Sequence, residues 1–236
     1  MSDSQGALAL VGAGEFLPSM RAVDRELLLR SGGDRVVILP TASAPDGPNV
    51  FERWISMGVE HFQALGAQAV AVRAMTREDC LSPKTAALIR DADLVYFSGG
   101  KPDYLYRTLE GTPTWRAVLE ILARGGVVAG CSAGAMVLGA FIPAFRFRLL
   151  PGRTALWGPA FGLVPDAVII PHFDEMPRAI LRTWIALRPA ETRALGIDGG
   201  TALVGAPGDW RVLGSGSVSV MDTGRETVLR AGDHIA

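Results

Sequence analysis

Short apolar runs alternate with amphipathic stretches along the first half of this chain, and that alternation narrows the possible architectures more than any other feature. The runs at 7–12, 35–40, 68–73, 93–98 and 126–131 are continuous and apolar, the pattern of strands buried on both faces. Between them, 20–30, 49–65, 83–91 and 113–124 carry apolar residues at helical spacing, as in Trp115, Val118, Leu119 and Leu122. Strands regularly separated by helices demand parallel pairing through crossover connections. The expected fold is therefore α/β: a doubly wound, mostly parallel sheet flanked by helices. Beyond residue 131 the pattern changes. Residues 163–173 read as a strand ending in His172 and Arg178–Leu187 as a helix, and short strands follow at 193–198, 201–205, 210–214 and 217–221. This tail is expected to append a small antiparallel β extension to the same sheet. With no linker, repeat or low-complexity tract, residues 1–236 read as one domain.

Ligands of open parallel sheets bind beyond the carboxyl ends of the strands. Four loops stand there: GAGEF after Val11, PTASAPDG after Leu39, SGGKPDY after Phe97 and GCSAGA after Ala129. The last is the most specific, because Val127–Met136, VVAGCSAGAM, runs an apolar strand through Gly-x-Ser-x-Gly into helix-forming residues. A strand-to-helix turn this tight needs small residues two positions either side of the serine, where a Cβ would strike neighbouring backbone. Ser132 then projects its hydroxyl over the sheet edge as a nucleophile. The Ala133 N–H, at a helix N-terminus, can stabilise an oxyanion. Gly99-Gly100 lets backbone approach a ligand, with the Gly100 N–H as second donor and Gly99 and Lys101 as substrate contacts. Gly12-Ala13-Gly14 lacks the third glycine of a dinucleotide fingerprint, since Leu17 stands there, and reads as a tight turn near the site.

A serine nucleophile needs a base, and the chain has three histidines. His61, on the polar side of an amphipathic helix, and His234, in the tail, read as solvated. His172 follows Val168-Ile169-Ile170-Pro171 and so stands at a strand's carboxyl end, where it can meet Ser132. A third member should fix the imidazole tautomer. No Asp or Glu occurs from Ile121 through Pro165, leaving Asp166, Asp174, Glu175 and Asp198 nearest. Asp174 and Glu175 would have to fold straight back onto the adjacent ring, an awkward path. Asp198 ends the next strand, so it is carried forward as the candidate while the choice stays open. Arg178 and Arg182 share a helix face, either as a bidentate grip on a substrate carboxylate or as a solvated surface. Arg146, Arg148 and Arg153, interleaved with Phe145, Phe147 and Trp157, suggest an anion-selective lid.

A formal charge of -1 argues against nucleic acid as a partner, and 49% hydrophobic residues argue against disorder. The N-terminus has no basic segment before a long apolar run, and no window approaches a membrane span, so the expected location is cytoplasmic. Cys80 and Cys131 are too few and too far apart for a disulfide framework or zinc cluster. Cys131 is expected to fill a buried gap beside the turn. No cofactor or metal is implied, and a homodimer is left open.

Taken in order, VILPTAS, YFSGGKPDYL, GCSAGAM, IIPHF with an arginine six residues past the histidine, and GIDGGTALV resemble the peptidase E and cyanophycinase family of serine peptidases, over roughly residues 7–205. The resemblance implies a class I glutamine amidotransferase-like fold with serine replacing the amidotransferase cysteine. It also implies cleavage of small acidic peptides, either N-terminal Asp dipeptides or the β-Asp-Arg units of cyanophycin. On that basis Ser132 is the nucleophile, His172 the base, Gly100 and Ala133 the oxyanion donors and Arg178 a carboxylate ligand. The sequence departs from the family where its acid generally stands, since Phe147–Gly152 reads FRLLPG. It departs again at Lys101-Pro102, at Ile170-Pro171 before the histidine and at Gly199. A binding or regulatory protein that has lost its acid, and a small-molecule esterase, are the alternatives.

Overall fold

The computed structural model describes residues 6–143, 157–222 and 224–235. Strands β1 (Ala7–Val11), β2 (Arg35–Leu39), β3 (Gln68–Ala71), β4 (Leu94–Phe97) and β5 (Val127–Cys131) run parallel in the order β1-β5-β4-β2-β3. On the free side of β1 the sheet continues through antiparallel β10 (Thr201–Ala206), β11 (Asp209–Gly214) and β14 (His234–Ile235).

Because successive strand residues point to opposite faces, each run divides between two cores. Leu8, Leu10, Val37, Leu39, Val95, Phe97 and Val128 face one side, together with residues of α3 (Arg77–Leu81), α4 (Pro83–Arg90), α5 (Pro102–Leu109), α6 (Pro113–Ala123) and α7 (Ala133–Leu138). Ala9, Val11, Val36, Ile38, Tyr96, Ala129 and Cys131 face the other, against α1 (Arg21–Ser31) and α2 (Pro48–Ala64). The helix boundaries follow local chemistry. Proline opens α2, α4, α5 and α6, where its missing N–H costs nothing, and Gly32 at φ 71° ends α1. Helices α3 and α5 lie outside the expected helices. No helix among the described residues is long and apolar enough to cross a membrane.

The tail corrects one expectation. The strand leading to His172 is confined to β8 (Ala167–Ile170) and does not join the central sheet. It pairs in parallel with β9 (Arg193–Ile197) in a second sheet, ordered β13-β12-β9-β8, with β12 (Ser217–Asp222) and β13 (Arg225–Arg230). The reason is burial on both faces. Ala167, Ile169, Leu195 and Ile197 pack into the first core, while Val168, Ile170, Ala194 and Met221 pack beneath Leu181 of α8 (Arg178–Ala186). A two-stranded ribbon, β6 (Phe141–Pro143) with β7 (Trp157–Pro159), lies outside the expected pattern.

The sheets are stitched where β1 ends. Ala13 bridges Gly199, His172 N–H donates to Gly12 O (3.3 Å) and Gly200 N–H to Ala13 O (3.1 Å). A Cβ at Gly12 would lie 2.1 Å from Asp198 O, so glycine is required here by the close approach of two backbones.

His61 also departs from expectation: it is buried, with Nε2 2.8 Å from Asp24 Oδ2 and its ring against Phe16 and Phe62. Its partner lies far off in sequence, so helix periodicity alone could not reveal it. His234 is exposed on β14 as expected. Burial pushes the Asp24 carboxyl above its ordinary value, while the His61 hydrogen bond and charge pull it down. His61→Ala should therefore destabilise the fold by about 3–5 kcal/mol at neutral pH, by stranding a buried carboxylate. A carboxyl with a raised folded pKa favours the folded state in acid and loses that contribution as pH rises through the raised value. The deficit, read by denaturant unfolding, should accordingly shrink as pH falls.

Candidate active site

At the end of β5 the chain enters Ser132 at φ 51°, ψ -112°, a conformation L-residues rarely adopt, and turns directly into α7. The flanking glycines allow the turn through close contact. A Cβ at Gly130 would sit 2.3 Å from the Gly134 carbonyl, and one at Gly134 would sit 2.6 Å from Phe97 O. Ser132 N–H donates to Val11 O (3.0 Å) and Met136 N–H to Ser132 O (3.0 Å), fixing the turn on both sides.

His172 Nε2 lies 3.1 Å from Ser132 Oγ, and His172 Nδ1 lies 3.0 Å from Glu175 Oε2. The expected meeting of residues 132 and 172 occurs, though across two sheets. The expected acid does not. Asp198 Oδ2 accepts from Ser217 N–H (2.9 Å) and Ser217 Oγ–H (2.6 Å), tying the end of β9 to β12. Asp174 accepts from Gly199 N–H at 2.8 Å. Glu175 reaches the imidazole because His172 adopts φ 51°, which lets both Glu175 N–H and Met176 N–H donate to His172 O at 3.0 Å. That left-handed turn supplies the back-folding that seemed awkward from spacing alone. The pair is open to solvent, the Glu175 side chain being 64% exposed.

The loop after β4 faces the nucleophile. Gly100 sits at φ 141°, packed on Ala42, and its N–H has no acceptor among the described residues. Ala133, the first residue of α7, has no intrahelical acceptor for its own N–H. Gly99, an expected substrate contact, donates its N–H to Glu15 Oε1 at 2.8 Å. The ammonium of Lys101, the other expected substrate contact, lies 3.4 Å from Asp46 Oδ1. Cys131 is fully buried as expected and donates its Sγ–H to Glu15 Oε2 at 2.9 Å. Burial, then the Glu15 charge, push that thiol well above its ordinary value, so it stays protonated. Glu15 was passed over in the sequence, although an acid held between Gly14 and Phe16 at a strand's carboxyl end is itself a signal.

A cavity of about 380 Å³ opens at Ser132 and His172, walled by Met136, Pro171, Met176, Pro177 and Trp184. Arg178 and Arg182 do share a face, but it lines an adjacent cleft of about 320 Å³ with Asp174 and Glu226, and Met176 borders both spaces. Phe145, Arg146, Phe147, Arg148 and Arg153 of the expected lid lie outside the described residues. Trp157 is buried edge-on against Trp184, with ring centroids 6.0 Å apart. Gly134→Ala, by forcing a methyl group onto the Phe97 carbonyl, should cost about 1–3 kcal/mol in denaturant unfolding.

The model of peptidase family S51 matches residues 8–212. Cyanophycinases of Synechococcus elongatus and Thermosynechococcus vestitus are each 28% identical over 227 residues, covering 94% of this chain and 69% of each relative. The crystal structure of a peptidase from an acI-B1 Actinobacterium superposes with a TM-score of 0.89 at 34% identity, over 100% of this chain and 98% of that one. With a family match running from β1 into β11, and a solved relative alike along its whole length, the chain belongs to peptidase family S51.

Proposed function

We propose that this chain is a serine peptidase that works through an acyl-enzyme on Ser132. The observation that carries the reading is the 3.1 Å contact between His172 Nε2 and a serine Oγ that opens onto a cavity. As Oγ bonds to the substrate carbonyl carbon, His172 Nε2 takes the hydroxyl proton, and Glu175 holds the Nδ1–H tautomer and steadies the imidazolium. The carbonyl oxygen, now negative, accepts from the N–H groups of Gly100 and Ala133. The imidazolium then protonates the leaving amine as the C–N bond breaks. Water repeats the sequence on the ester and frees Ser132.

The proposed substrate is a small aspartyl or isoaspartyl peptide, the class implied by the family resemblance and by likeness to proteins named cyanophycinase. Its scissile bond occupies the apolar cavity and its carboxylate reaches the Arg178 and Arg182 cleft. A second reading, an acyl hydrolase of uncharged esters, is favoured by the apolar wall of Met136, Pro171, Met176, Pro177 and Trp184. The reading as a binder that lost its acid loses its main support with Glu175 at Nδ1.

A fluorophosphonate should label the folded protein once, at Ser132, and Ser132→Ala should abolish the label; an unreactive wild-type protein overturns the proposal. Glu175→Gln should slow labelling by ~10²-fold, less than the ~10⁴-fold recorded for a buried triad carboxylate, because this one is solvated. Asp198→Asn should react like wild type. Among Asp-X dipeptides, β-aspartyl dipeptides and p-nitrophenyl esters, the peptides should turn over best, with Arg178→Ala raising their KM. Preference for esters would favour the second reading.

A further inference from the structure

One buried acid has no part in the chemistry above. The Glu15 side chain lies beneath the ends of β4 and β5, the residue is only 7% exposed, and no cation pairs with it among the described residues. Burying a carboxylate without a countercharge opposes folding, so its two contacts call for a reason. We propose that Glu15 is a positioning residue whose single carboxylate sets both walls of the oxyanion hole; the inference rests on Ser132 being the nucleophile.

One wall is the turn after β4. Gly99 N–H is pinned to Glu15 Oε1 (2.8 Å) and Lys101 N–H to Ala42 O (2.8 Å), so of three consecutive amides only the middle one, Gly100, has no acceptor among the described residues. A Cβ built on Gly99 would lie 2.9 Å from Glu15 Oε1 and 3.4 Å from Ser132 Cβ, so acid and nucleophile flank the same glycine. The other wall begins at Cys131, held by Glu15 Oε2 at 2.9 Å immediately before Ser132 and Ala133. Oxygens of one planar group thus fix the spacing between the strand ends that carry the two donors. Phe16 adopts φ 64° and sets its ring tilted against Tyr96, with centroids 4.9 Å apart, so the turn sends successive side chains to separate destinations. A left-handed bulky residue beside a site is the kind of strain that surrounding structure must hold in place.

The test is fluorophosphonate inactivation of the full chain, resolving the limiting rate (kinact) from the half-saturation constant (KI), with a thermal melt of every variant. Glu15→Ala should lower kinact by ~10²–10³-fold, the scale of losing an oxyanion donor, with KI little changed. Glu15→Gln, whose amide oxygen still accepts the Gly99 N–H, should recover most of that loss, and Cys131→Ala, which keeps the Gly99 anchor, should lose less than Glu15→Ala. Should Glu15→Ala not fold, Glu15→Asp replaces it: its shorter reach cannot span both anchors, so it should react more slowly than Glu15→Gln. Wild-type kinact in Glu15→Ala or Glu15→Asp, a loss carried by KI, or a Gln variant no faster than the Ala or Asp variant overturns the proposal. A labelled wild type with an equally reactive variant overturns this role alone, whereas an unlabelled wild type overturns the nucleophile assignment and this role with it.

Discussion

The backbone seam at Gly12 and Ala13 is what makes a site out of two separate sheets. Ser132 is carried by the central sheet and His172 by the smaller one, and neither strand set alone places a base near a hydroxyl. Gly12 O accepts from His172 N–H and Ala13 bridges Gly199, so the imidazole is referenced to β1. β1 is also the neighbour of β5 and accepts from Ser132 N–H. The Ser132 hydroxyl and the His172 imidazole are thus measured from the same strand end. Any side chain at residue 12 would collide with Asp198 O and pry the sheets apart.

Three of the four non-glycine residues at positive φ among the described residues, namely Phe16, Ser132 and His172, gather at this rim. Each costs energy on its own and survives because packing around it overdetermines the backbone. The surroundings match: the strands beneath are fully buried, and the turns are pinned by Val11 O, Gly12 O and the Glu15 carboxylate.

Much of this was legible in the sequence, for physical reasons. Four of the five parallel strands announce themselves because burial on both faces needs nearly unbroken apolar runs, whereas β3 lies at the sheet edge with Val70 exposed. The serine turn announces itself because so tight a turn needs small residues two positions either side of the serine. The second sheet was not legible: the apolar run before His172 is the same whether it joins one sheet or another, and the choice is made by partners far away in sequence. His61 misled for the same reason, since its buried partner Asp24 sits on another helix. Glu175 stood behind Asp198 among the open candidates because spacing arguments assume ordinary backbone, and the left-handed turn at His172 is invisible in composition.

The openness of Glu175 reaches beyond this one molecule. An orienting acid embedded in a core is locked to its segment, since moving it would leave a hole or an orphaned charge. Here the carboxylate at Nδ1 stands at the exposed rim, held by a three-residue turn and not by a packed core. Packing therefore constrains the segment that supplies this oxygen less than it constrains the strand ends that carry Ser132 and His172.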